Sequence, residues 1–106
     1  MESQVKFADA ELKEAFEELE EVDPRLYKEI EKAMGDIRVN CFCGRNVKKY
    51  LIPKDLIAKF DIDNLWIYNL RADWRLIYSI ANDQIEVLAL VLDWMNHKDY
   101  DKLFGF

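Results

Sequence analysis

The chain has 106 residues, 51% of them hydrophobic and 34% charged, with a net charge of -6 and only 3 Gly and 2 Pro. That length suits one domain, residues 1 to 106, with a core of its own, and the composition excludes a low-complexity array or a long disordered linker. The negative balance argues against tight binding to a polyanion by the molecule as a whole.

The N-terminal stretch MESQVKFADAELKEA carries acidic residues and no long apolar run, so neither a signal peptide nor a membrane span is expected there, and the cytoplasm is the expected location. Residues 4 to 7 alternate polar and apolar, which suits a short first strand. Asp9 reads as the N-cap of a helix over residues 10 to 21, with Leu12, Ala15, Phe16 and Leu19 forming one apolar stripe and glutamates filling the other face. Asp23-Pro24 restarts the chain as cap and first helical position, and a second helix is expected to run to about Met34, where Gly35 stops it. Leu26, Tyr27, Ile30 and Ala33 form its buried stripe, and the short link between the helices predicts an antiparallel helical hairpin.

Residues 36 to 63 show less pattern. Residues 47 to 52 suit an extended segment, and residues 53 to 60 open on a proline with helical spacing, which suits either a short helix or an ordered loop. Cys41 and Cys43, the only cysteines, are too close in sequence for a relaxed mutual disulfide, so reduced thiols are expected. A metal site there would need two further ligands, and His97 is the sole histidine, so no metal is expected.

Residues 64 to 100 hold three apolar runs separated by Arg71-Ala72-Asp73 and Ala81-Asn82-Asp83-Gln84, the pattern of a β-meander, with its last strand over residues 85 to 93. In the middle run Trp74, Leu76, Tyr78 and Ile80 share one face, expected to be core, while Arg75, Ile77 and Ser79 share the other. A mid-strand arginine is costly unless its face is open to solvent or to an anion, so Arg75 is either a solvated or ion-paired residue or an anion ligand. Trp66 and Trp74 are expected in the core. The C-terminal Leu103, Phe104 and Phe106 are apolar enough to pack back on the domain.

Charge is unevenly spread. Residues 1 to 35 carry 5 Lys/Arg against 11 Asp/Glu, residues 36 to 78 carry 8 against 5, and residues 79 to 106 carry 2 against 5. A dipolar molecule of this kind can still offer a cationic face to a phosphate backbone.

The order strand, helix, helix, meander, together with Leu70-Arg71-Ala72-Asp73-Trp74-Arg75-Leu76-Ile77-Tyr78, resembles the RelE/ParE superfamily of toxins from bacterial and archaeal toxin-antitoxin pairs. The ending His97-Lys98-Asp99-Tyr100-Asp101 is most similar to the HigB-type branch. The resemblance implies an α+β, RelE/ParE-like domain: an N-terminal helical hairpin on a twisted, mainly antiparallel sheet of about four strands. It also implies a metal-independent endoribonuclease (mRNA interferase) acting on messenger RNA, on the ribosome in many members, with a cognate antitoxin as partner and no cofactor. Carried over residue by residue, Arg75 would stabilise charge on the phosphate, His97 would take or give a proton, and Tyr100 would stack on a base or assist proton transfer. Arg71, Lys48, Lys49 and Lys54 become candidates for backbone binding. Plain alternatives stand beside these: an ion pair for Arg75, a strand cap for His97, a core ring with a wet hydroxyl for Tyr100, solvated side chains for the rest. The lysine pair that RelE-type enzymes carry before the arginine falls here on residues 66 to 69, none of them basic. Two other functions fit the same resemblance: a ParE-like protein that blocks a target such as a topoisomerase, or a domain that keeps the fold without catalysis.

Overall fold

The computed structural model describes residues 3–71, 73–82 and 87–105. Among them are four α-helices and one five-stranded sheet, an α+β fold. In chain order they are β1 (Gln4–Phe7), α1 (Ala10–Val22), α2 (Pro24–Val39), β2 (Arg45–Asn46), a 3-10 turn (Lys49–Leu51), α3 (Lys54–Phe60), β3 (Trp66–Asn69), β4 (Trp74–Asn82), β5 (Val87–Asn96) and α4 (His97–Phe104). The sheet runs in the order β1-β5-β4-β3-β2. β1 joins β5 in parallel, and the other neighbours are antiparallel.

Asp23 serves both helices of the N-terminal half: its backbone N–H donates to Leu19 O, closing α1, and its carboxylate accepts from Leu26 N–H, opening α2. Phe16 stacks on Tyr27 with ring centroids 4.6 Å apart, and Leu26, Ile30, Ala33 and Ile37 pack on Leu76, Tyr78, Ala89 and Val91 of the sheet. Trp66 and Trp74 lie against this first core. The expected stop at Gly35 does not occur, because α2 continues to Val39. A helical glycine costs only about 1 kcal/mol relative to alanine. The next turn returns Ile37 to the buried stripe, fully covered, which contributes about 1.5–3 kcal/mol and outweighs that cost.

The second face of the sheet, partly polar in sequence, is also a core. Ile77 is fully buried and Ser79 is 3% exposed, under a layer made by the 3-10 turn, α3 and α4. Val47, Ile52, Leu56, Leu65, Ile67, Leu92, Met95 and Tyr100 fill it, with Leu103 and Phe104 packed at its margin. Ser79 is tolerated because its hydroxyl donates to Asn64 Oδ1 at 3.3 Å. Asn64 also accepts from Ile80 N–H and donates to Ile80 O, both at 2.8 Å, so its amide prolongs the β3–β4 ladder by one rung.

The segment 36 to 63 resolves into β2, the 3-10 turn and α3, and α3 closes on Asp61 in the left-handed region (φ 54°). β5 runs on to Asn96 rather than ending at Asp93, and Asn96 caps α4 by accepting from Asp99 N–H at 2.9 Å. Ala72, Asp83, Gln84, Ile85 and Phe106, which figure in the expected turns, strand start and C-terminal packing, lie outside the described residues. Cys41 is buried, Cys43 is exposed, and both are free thiols. No helix among the described residues is long and apolar enough to cross a membrane.

Candidate functional site

Strand alternation sends Arg75 to the same face as Ile77, at the start of β4 where it pairs with Met95 near the end of β5. Directly after β5 the chain turns into α4, and Tyr100 comes down on this end of the sheet, 6% exposed. The Arg75 guanidinium carbon lies 5.6 Å from the centroid of the Tyr100 ring, within cation–π range, and Phe104 packs 4.6 Å from the same ring. With those neighbours and 6% exposure, the ring has no open face for a nucleobase, and the hydroxyl is engaged within the site. It accepts a hydrogen bond from Arg45 Nη2 at 3.0 Å.

Two guanidinium groups therefore gather on one phenol. Among the described residues neither Arg45 nor Arg75 has a carboxylate within 4.0 Å, and Arg75 Nη1 reaches only the Trp74 carbonyl, at 3.4 Å. Planar forks without a carboxylate partner keep their donors for another anion, and phosphate matches their geometry.

His97 opens α4 and is more than half exposed, with Nε2 3.1 Å from Asp101 Oδ2 one turn on. Tyr100 is three residues along, so imidazole and phenol share one helical stripe, about 5–6 Å apart at their Cβ atoms. Asp101 fixes the ring's orientation. Lys48 and Lys49 are exposed on a strap pinned to this face by Val47 and Ile52, and Lys54 is exposed at the start of α3. Arg71 is not brought to this group. It sits at the β3–β4 turn on the side of α2, where Nε lies 3.8 Å from Glu29 Oε1 and its backbone N–H donates to Glu29 Oε2 at 3.1 Å.

Arg45 was only one of eight cations in the basic middle third when read from sequence, and its position depends on a contact from far along the chain. The buried Tyr78 hydroxyl donates to Cys41 O at 2.8 Å and accepts from Gly44 N–H at 3.0 Å. Burial pushes the Tyr78 phenol well above its usual range, so it stays a neutral tether. This fastens the 41–44 loop to β4, and β2 then pairs Arg45 with Ile67 of β3.

Asp93 is the other residue that sequence reasoning missed. A bulge in β5 puts it opposite Ile77, and desolvation raises its carboxyl above the ordinary range despite the bond it accepts from Trp94 N–H at 2.8 Å. An acid raised in this way holds its proton more tightly when folded. Its favourable contribution is present below the ordinary aspartate range and is lost as pH rises through the folded value. Asp93→Asn is accordingly expected to raise the melting temperature at pH 7 by roughly 2–6 °C, with the gain vanishing near pH 3, in thermal melts recorded across that range.

Among the described residues no three His, Cys, Asp or Glu side chains gather closely enough to hold a metal ion. No protein-family model, no curated protein and no solved structure matches this chain. What the arrangement can do chemically is bind a phosphate between two guanidinium groups, with an imidazole one helical turn away to move a proton.

Proposed function

We propose that this chain is the toxin-like component of a toxin-antitoxin pair, a RelE/ParE-like domain of helical hairpin and sheet that cuts messenger RNA, on the ribosome, until a cognate antitoxin covers the cationic face. One observation carries the reading: Arg45 and Arg75, without carboxylate partners among the described residues, converge on Tyr100 beside the only imidazole of the chain. In the reaction the ribose 2'-oxygen attacks the adjacent phosphorus and the bond to the leaving 5'-oxygen breaks, giving a 2',3'-cyclic phosphate and a 5'-hydroxyl. The 2'-hydroxyl proton goes to a base, the 5'-oxygen receives one from an acid, and the charge that builds on the non-bridging oxygens falls to Arg75 and Arg45. His97 exchanges one of those protons, and Tyr100 holds the two guanidinium groups apart at the right spacing.

Induced expression with and without the neighbouring antitoxin gene tests this. The parent alone should arrest growth and fragment message, and His97→Ala should fold while cutting about 10²–10³-fold more slowly, as loss of a general acid or base requires. A variant that fragments message at the parental rate removes His97 from the chemistry. The net charge of -6 favours a second reading, a ParE-like block of a protein target such as a topoisomerase, since an acidic surface suits a protein partner better than a polyanion. That reading expects intact message and accumulating DNA damage in the same cells.

A further inference from the structure

On the face of the sheet opposite the Arg45–Arg75–Tyr100 group, a cleft of about 350 Å³ opens between α2 and the β3–β4 turn. Four cations line it: Arg25, Lys28 and Lys32 from α2, and Arg71 from the turn. The three on α2 are spaced i, i+3 and i+7, which puts them on one stripe about 10 Å long. In a chain of net charge -6, four of the 15 Lys and Arg residues border this one cleft. Like charges a turn apart repel, so such a stripe costs stability unless an anion lies along it.

The carboxylates nearby answer only part of that charge. Glu29, which also lines the cleft, is engaged with Arg71. Asp36 accepts from Lys32 at 3.3 Å and from the Tyr68 hydroxyl, and the Tyr68 bond above all holds its carboxyl below the usual range, while burial, together with that bond, pushes the Tyr68 phenol up to about 12. Among the described residues Arg25 and Lys28 have no carboxylate within 4.0 Å. The floor is apolar, formed by the half-buried Tyr68 and Leu70 packed on the first core.

We infer that this cleft is a docking site for a short acidic segment of a partner protein, with two or three carboxylates over the Arg25–Lys28–Lys32 stripe and an apolar side chain on Leu70. A peptide fits better than a nucleic acid. The cation stripe is only two helical turns long, and the one aromatic in the cleft, Tyr68, is half-buried and packed on the first core, which makes it a poor stacking platform for a base. Arg71 belongs to this site rather than to the RNA face. Its guanidinium is exposed and its ion pair with Glu29 is long, so it can exchange Glu29 for an incoming carboxylate at little cost. The inference does not depend on whether the chain cuts RNA.

The test titrates the full chain, observed by backbone amide NMR, with two probes: a 12-residue synthetic peptide of glutamates at i, i+3 and i+7 around a central leucine, and a 12-nucleotide single-stranded RNA. The peptide is expected to bind saturably, with shifts centred on Arg25, Lys28, Leu70 and Arg71. Arg25→Glu/Lys28→Glu should weaken it at least tenfold, and Arg75→Ala should bind it as the parent does. Lys28→Gln, a neutral change on an exposed helix surface, is measured alongside and should weaken binding about threefold even if the double variant does not fold. No saturable peptide binding at millimolar concentration, shifts centred on Arg45 and Arg75, parental affinity in the Lys28→Gln variant, or RNA in place of peptide at the cleft would each overturn the inference.

Discussion

Arg75→Ala is expected to cut ribosome-bound message about 10²–10³-fold more slowly than the parent while remaining folded, the loss typical when a preorganised donor is removed from developing negative charge. The structural cost should be small. Arg75 is only half buried, and what it gives up is its contact with the Tyr100 ring, about 0.5–1 kcal/mol, or a fall in melting temperature of roughly 2–8 °C. Arg75→Lys keeps the charge but not the fork, so it should recover part of the rate and none of the bidentate geometry. Primer extension on stalled ribosomes gives the rate, and a thermal melt of the same preparation separates lost chemistry from lost fold.

Gly44→Ala should produce the largest loss of stability of any methyl-sized change in the site. A Cβ there would lie 2.7 Å from Tyr78 Oη and 2.8 Å from Ile67 O. Neither neighbour can yield: the first belongs to a fully buried side chain and the second to the backbone of β3. Overpacking of this kind costs about 2–3 kcal/mol, which lowers the melting temperature by roughly 8–20 °C. The Tyr78 hydroxyl would lose its grip on the loop, so Arg45 should leave Tyr100 and cleavage should fall even below the new melting point. Gly35→Ala is the matched control. Nothing lies within 4 Å of a Cβ at Gly35, inside α2, and the change is expected to stabilise the chain by about 0.5–1 kcal/mol in the same melts.

These glycines show what could be read locally and what could not. Gly35 looked like a helix stop because glycine commonly is one, and only the tertiary burial of Ile37 decides otherwise. Gly44 carried no local signal, since its constraint comes from Tyr78, 34 residues away. Elements whose pattern lies within a few residues were legible: β1, the Asp9 and Asp23 caps and the first two strands of the meander, while the proline-initiated α3 was left between a short helix and an ordered loop. The two-sided sheet was not. Arg75, Ile77 and Ser79 read as a half-polar face, and nothing in β4 itself says that Ile52, Leu56 and Tyr100 will cover it. The same reason hides Arg45, whose partner lies 55 residues away, and separates Arg71 from the group it was assigned to. Asp93 was invisible because a bulge, not simple alternation, sets its direction.

The most direct measurement is the chemistry of the cut ends. Purified parent protein and Arg45→Ala, Arg75→Ala and His97→Ala variants are incubated with message held on ribosomes, and the fragments are resolved by mass. The parent should leave 2',3'-cyclic phosphate and 5'-hydroxyl ends, and each variant should leave them at least a hundredfold more slowly with its fold intact. Uncut message with the parent, or cutting that the two arginine variants perform as fast as the parent, would contradict a phosphate site built on Arg45, Arg75 and Tyr100.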